Sequence, residues 1–209
     1  MKEAVLQQAE CSISFFMQRV HIVMLSVCAG LVLAGCHHQI RFEDIGYSLE
    51  QKQLDAGLIA VVTPGTIAQG HPIHSIMTGA AHTWEAKPGE MLKQIAEVEF
   101  PQMFRYYRTT SAYEEPTEGG KRLTVELLVP YYDFSDFHAT VVVQAKAYGT
   151  GHAQLLDKSY REEGDTQGAK MFWGGAFAMK SAIRQSSYDA YKKAFAKLRA
   201  DLVAVLYRP

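Results

Sequence analysis

Three histidines, His71, His74 and His82, fall within the stretch HPIHSIMTGAAH, and three imidazoles can in principle share a zinc ion. Their spacing matches no zinc-ligand pattern, Pro72 separates two of them, and no cysteine or carboxylate joins them nearby. Ordinary loop polarity is the better reading, and it holds equally for His37 and His38, so no metal is expected. Phosphate chemistry lacks its glycine loop and lysine, and no G-x-S-x-G elbow presents a nucleophile. Serines, histidines and aspartates are scattered, and a hydrolytic site could be assembled only from distant loops such as the histidine stretch and GDTQG. A non-enzyme without a cofactor is therefore expected, with the loop-built hydrolase as the alternative. Cysteines occur at 11, 28 and 36 and nowhere in the following 173 residues, which rules out a disulfide framework in the bulk of the chain. The residue whose surroundings point to a definite chemistry is Cys36.

Cys36 ends the segment MQRVHIVMLSVCAGLVLAGC, in which a short head with Arg19 precedes an apolar run from Ile22 to Leu33 and the small residues Ala34 and Gly35. That is the layout of an export signal. The run is about a dozen residues, short of the ~20 that span a bilayer. Leu33-Ala34-Gly35-Cys36 resembles the lipobox of bacterial lipoproteins. The resemblance implies cleavage between Gly35 and Cys36, a diacylglyceryl group on the Cys36 thiol, and a further acyl chain such as palmitate on the freed amine. Two or more chains, at ~0.8 kcal/mol per buried methylene, anchor a protein essentially permanently. The competing readings are an ordinary core thiol after a buried helix, or an uncleaved signal anchor; HHQIRFED supplies no helical continuation for the first. Residues 1–16 fit no part of a signal, which makes Met17 the expected start, with the signal peptide at 17–35. An aspartate after the lipidated cysteine would favour retention in the inner membrane. His37 stands there instead, so the resemblance implies a cell-envelope location at the outer membrane, facing the periplasm.

The whole chain of 209 residues is 48% hydrophobic and 21% charged, with a formal net charge of −1, so one globular domain is the default and overall charge offers no argument for nucleic acid. Residues 36–56 are polar with few apolar anchors and read as a lipidated tether, with a single domain over 57–209. LIAVV at 58–62 suits a buried strand, and the histidine stretch that follows reads as a loop. Pro88 opens a helical pattern carrying Met91, Ile95 and Val98 on one face, which Pro101 ends or kinks. Leu123, Val125, Leu127 and Val129 alternate with polar residues, as do Ala139, Val141, Val143, Ala145 and Ala147; a Gly-Thr-Gly-His turn and QLLDKSY then complete an antiparallel meander. From Ser187 to Tyr207 an apolar stripe of Tyr191, Ala194, Phe195, Leu198, Leu202 and Val205 faces lysines, which specifies an amphipathic helix. An earlier start near Ala176 would put Lys180 on that stripe.

These elements specify an α+β fold: a two-layer sandwich of an antiparallel meander sheet with a long C-terminal amphipathic helix and one shorter helix. Their order resembles that of small envelope lipoproteins that accompany transport and assembly machines, such as the lipopolysaccharide-assembly lipoprotein and the auxiliary lipoproteins of ABC-type lipid transporters. The implied role is a non-catalytic binding or accessory component with an envelope protein or lipid as partner. A structural or surface-exposed lipoprotein is the remaining alternative. Candidate partner contacts are Tyr132 and Phe134 in YYDFSDF, and Phe172 and Trp173 ahead of Gly174-Gly175. For both groups, packing on the core competes with exposure to a partner.

Overall fold

The computed structural model describes residues 36–43, 45–50, 53–74, 82–117 and 120–207. Strand β1 (Cys36–Ile40) and β2 (Leu54–Val61) precede a short helix α1 (Pro64–Ile67) and strands β3 (His71–Ile73) and β4 (His82–Ala86). Helix α2 (Pro88–Met103) leads into β5 (Phe104–Thr110), then come β6 (Arg122–Ser135), β7 (His138–Tyr148), β8 (Gln154–Glu163) and the long helix α3 (Gly168–Leu206). The class is α+β. A five-stranded sheet has the order β5-β2-β6-β7-β8, and a three-stranded sheet has the order β1-β4-β3.

The meander is β6-β7-β8, paired antiparallel throughout. Beyond it the large sheet turns mixed, because β2 lies between β5 and β6 and runs parallel to both. Parallel neighbours require a crossover. Helix α2 lies on the one that joins β2 to β5, and its Met91, Leu92, Ile95, Ala96, Phe100 and Met103 are buried. Pro88 occupies its first turn, and the helix runs only two residues beyond Pro101.

Strand β6 changes its inward-facing parity halfway along. Leu123, Val125, Leu127 and Val129 are buried, and so are Tyr132 and Phe134. The pairing with β7 slips between Leu128 and Tyr131, around Pro130, which has no N–H to give to a ladder. The extra residue returns the following side chains to the core face.

The tether expected over residues 36–56 is corrected by the structure. Cys36 to Ile40 pair in parallel register with His82 to Ala86, and Ile40 and Phe42 belong to the core. Past β1 the chain is strapped to α2 by side-chain amides. Gln94 accepts from the Phe42 N–H at 3.1 Å and donates to its carbonyl at 3.0 Å. Gln102 accepts from the Leu49 N–H at 2.8 Å and donates to the Tyr47 carbonyl at 3.0 Å. The Tyr47 hydroxyl donates to Glu99, which also takes the Arg199 guanidinium from α3 and is fully buried. Backbone groups of Phe42, Tyr47 and Leu49 are thus satisfied by the domain instead of by water, and the folded unit includes Cys36–Ile40 and the strap rather than starting near Leu58.

Candidate functional site

Helix α3 is one run broken at Gly175, whose φ of 51° and ψ of −138° lie outside helical space. A positive φ of this kind suits glycine, which has no Cβ to clash. The two segments fold back on each other. Lys170 Nζ reaches Gln185 Oε1 at 2.9 Å, although fifteen residues of straight helix would separate them by about 22 Å. About two turns further from the tip, Lys193 Nζ meets Asp165 Oδ1 at 2.8 Å and the Glu163 carbonyl at 2.9 Å. Residues 168–174 therefore run antiparallel to the start of the long segment, and Gly174-Gly175 forms the tip of a helical hairpin.

The hairpin is rooted in the core and bare at its end. Met171 and Met179 are buried, whereas Phe172, Trp173 and Phe177 are 71%, 85% and 100% exposed. Phe172 and Trp173 pack edge to face with centroids 5.2 Å apart. Sequence reasoning singled out Phe172 and Trp173 but not Phe177. A glycine pair between two aromatic clusters was the available signal: a turn there brings residues on both sides to one place. Lys180, awkward on an apolar stripe, is instead paired with Glu43 at 2.9 Å beside Arg184 at 2.6 Å. Hydrogen bonds from Lys180 and Arg184 hold the Glu43 carboxyl below its usual pKa. An open groove of about 260 Å³ lies there, lined by Phe42, Glu43, Ile45, Arg184 and Tyr188.

The other expected contact residues are corrected. Tyr132 and Phe134 are core residues, and the Tyr132 hydroxyl pairs with Ser187 Oγ at 2.7 Å inside the protein. Burial pushes the Tyr132 hydroxyl well above its usual range, so it stays protonated. The slip at Pro130 is what turns both rings inward.

The histidines do not converge on one chemistry. His71 Nε2 lies 3.5 Å from Asp133 Oδ1, and its ring packs edge-on to Tyr132. Ser135 Oγ donates to the other oxygen of Asp133 at 2.8 Å. The order of contacts is serine, carboxylate, imidazole, whereas nucleophile activation needs the imidazole in the middle. His74 is exposed, and His82 pairs by its backbone with Cys36. His37 Nδ1 contacts Thr83 Oγ1 at 3.2 Å and Nε2 lies 3.3 Å from Glu85, while His38 stacks on Trp84 at 4.3 Å. Among the described residues, no three His, Cys, Asp or Glu side chains are arranged to hold a metal ion.

Cys36 opens β1; Leu33, Ala34 and Gly35, with the rest of the signal-like segment, lie outside the described residues. Among the described residues no helix is long and apolar enough to cross a membrane. No family model matches the chain, and no curated protein matches it in sequence. Solved structures that resemble it include two bacterial proteins. Protein XCC0632 from Xanthomonas campestris, described under the family model DUF330, is 10% identical with a TM-score of 0.45, over 81% of this chain and 99% of that one. The hypothetical protein CT253 from Chlamydia trachomatis is 7% identical with a TM-score of 0.34, over 71% of this chain and 99% of that one. Likeness this distant carries nothing about ligand or partner.

Proposed function

We propose that this protein is a lipid-anchored component of a bacterial cell envelope, held by acyl chains on Cys36, whose domain binds another envelope component without catalysing a reaction. The observation that carries the reading is the sequence Leu33-Ala34-Gly35-Cys36 closing an apolar segment too short to span a bilayer, with its cysteine opening the first described strand. An accessory part in a transport or assembly system, at the outer membrane and facing the periplasm, is the finer form of this proposal. The order of contacts around Asp133 speaks against a serine nucleophile activated at that place.

The test is Cys36→Ser in a bacterial host fed a clickable palmitate analogue. Loss of the label and accumulation of precursor are expected, because the sulfur that carries diacylglycerol is gone. A variant that is still processed and still sediments with vesicles would overturn the reading. The accessory role is probed by crosslinking in intact cells, where recovery of the protein by itself counts against a partner.

A further inference from the structure

We infer that the tip of the α3 hairpin, Phe172, Trp173 and Phe177, is a second membrane contact that enters the headgroup–acyl boundary of the bilayer to which Cys36 is anchored. The inference rests on the acylation of Cys36 proposed above. Its first support is the absence of a spacer. Cys36 is the first residue of a strand registered against β4, so a sulfur in the bilayer brings the folded domain down with it. Some face of the domain must then meet headgroups, whereas a true tether of twenty residues would have let it float free.

The second support is which face can do so. Three aromatic side chains, each more than two-thirds exposed, stand within six residues at the turn of a helical hairpin. Trp and Phe at a protruding turn suit the interface, where an apolar ring inserts and the indole N–H remains among polar groups. A core function does not explain them, because the same hairpin already buries Met171 and Met179.

The third support is reach. Strand β1 packs against α3, and its end is tied to that helix: Lys87 N–H donates to the Ile40 carbonyl at 2.9 Å, and the Tyr191 hydroxyl donates to the adjoining Pro88 carbonyl at 2.7 Å. Cys36 is at most about 13 Å of strand from Ile40, and Phe177 about 21 Å of helix from Tyr191. Glu43, seven residues past Cys36, pairs with Lys180, three residues from Phe177, so the anchor and the tip are separated by little more than about 23 Å of extended chain, a span that one bilayer surface can bridge. Two points of attachment fix how the domain stands on the membrane, where the acyl chains alone would leave it free to rotate.

The chain has two tryptophans, Trp84 buried and Trp173 at the tip, so the part of the indole emission change that disappears in Trp173→Phe reports on the tip. Full-length processed protein is reconstituted into phosphatidylethanolamine–phosphatidylglycerol vesicles, with and without brominated acyl chains. Emission is expected to fall on brominated lipid, by at most about half because one indole of two is at the interface, and the fall should vanish in Trp173→Phe, a conservative change at an exposed position. Phe177→Ser should shrink it while the protein still sediments with the vesicles. Unquenched emission from acylated, vesicle-bound protein overturns the tip contact and leaves the anchor standing. Protein that carries no acyl group and floats free of vesicles sinks the anchor reading itself. Emission indifferent to brominated lipid that shifts to the blue with protein concentration, or on adding an envelope protein extract, gives the tip to a second copy or a protein partner and also overturns the inference.

Discussion

The two ends of α3 carry similar side chains and treat them in opposite ways. Between residues 190 and 202, Ala190, Tyr191, Ala194, Phe195, Leu198 and Leu202 are all fully buried; at the hairpin tip, Phe172, Trp173 and Phe177 all face solvent. The buried set recurs every three or four residues, so one stripe of helix can lie on the sheet and on α2. The tip set brackets a backbone break, and a turn points its side chains outward from both flanking segments. Hydrophobicity alone does not decide burial. The regularity of its spacing does, and apolar residues outside a regular stripe mark where something other than the core is being served.

One substitution made at both ends tests that contrast most severely. Phe195 packs against Phe100 with ring centroids 5.5 Å apart and is inaccessible to water. Phe195→Ala should cost about 3–5 kcal/mol, from lost transfer and an unfilled cavity. Phe177→Ala should stay within about 0.5 kcal/mol, as exposed substitutions do. Urea unfolding of the detergent-solubilised full chain measures both, and comparable losses at the two positions would break the comparison.

Arg199 sharpens the same contrast from the polar side. Its guanidinium joins the Tyr47 hydroxyl on the buried carboxylate of Glu99, so the β1 strap, α2 and the core-facing half of α3 are pinned at one point. Desolvation and the neighbouring Glu99 push the Tyr47 hydroxyl far above its usual pKa, which keeps it a donor at any accessible pH. Arg199→Met should cost about 2–4 kcal/mol, because a buried charge loses its counter-charge and keeps only a hydroxyl. Adding Glu99→Leu to Arg199→Met should recover most of that loss. A double variant as unstable as the single would mean that packing, and not the stranded charge, sets the cost.

How far the sequence reached follows the same logic of spacing. The core-facing half of α3, the α2 stripe and the meander all repeat at the period of their element and were readable from apolar positions, except that Val98, placed on the α2 face with Met91 and Ile95, is only half-buried while Leu92, Ala96 and Phe100 complete the face. The strap was not, since Phe42 and Leu49 are fastened through backbone groups to Gln94 and Gln102 about fifty residues away, and no local pattern announces such a bond. Between the two readings of Tyr132 and Phe134, packing and partner contact, burial is decided by a one-residue slip at Pro130, which strict alternation cannot represent. At the candidate site the glycine pair was visible, but the fold-back that sets Phe177 and Trp173 on either side of one turn depends on the positive φ at Gly175.

The smallest expected effect lies at the seam between the two ends, where the chain entering α3 crosses the helix. Asp189 is partly buried there beside Asp165, with Lys192 and Lys193 near, and desolvation followed by the Asp165 charge raises its carboxyl above the usual value. A carboxyl whose pKa is raised on folding favours the folded state when protonated. Its contribution is fully present below the unfolded pKa and is lost as pH climbs through the folded one, so ionised Asp189 works against the fold at neutral pH. Asp189→Asn removes the charge and keeps an acceptor for the Asp165 N–H. It should stabilise the protein at pH 7 by less than about 0.5 kcal/mol, with the gain shrinking to nothing as the medium is acidified past the ordinary aspartate range. Thermal unfolding at pH 7 and again near pH 3 checks the sign. A gain that persists in acid would show that Asp189 is limited by packing at the seam and not by its charge.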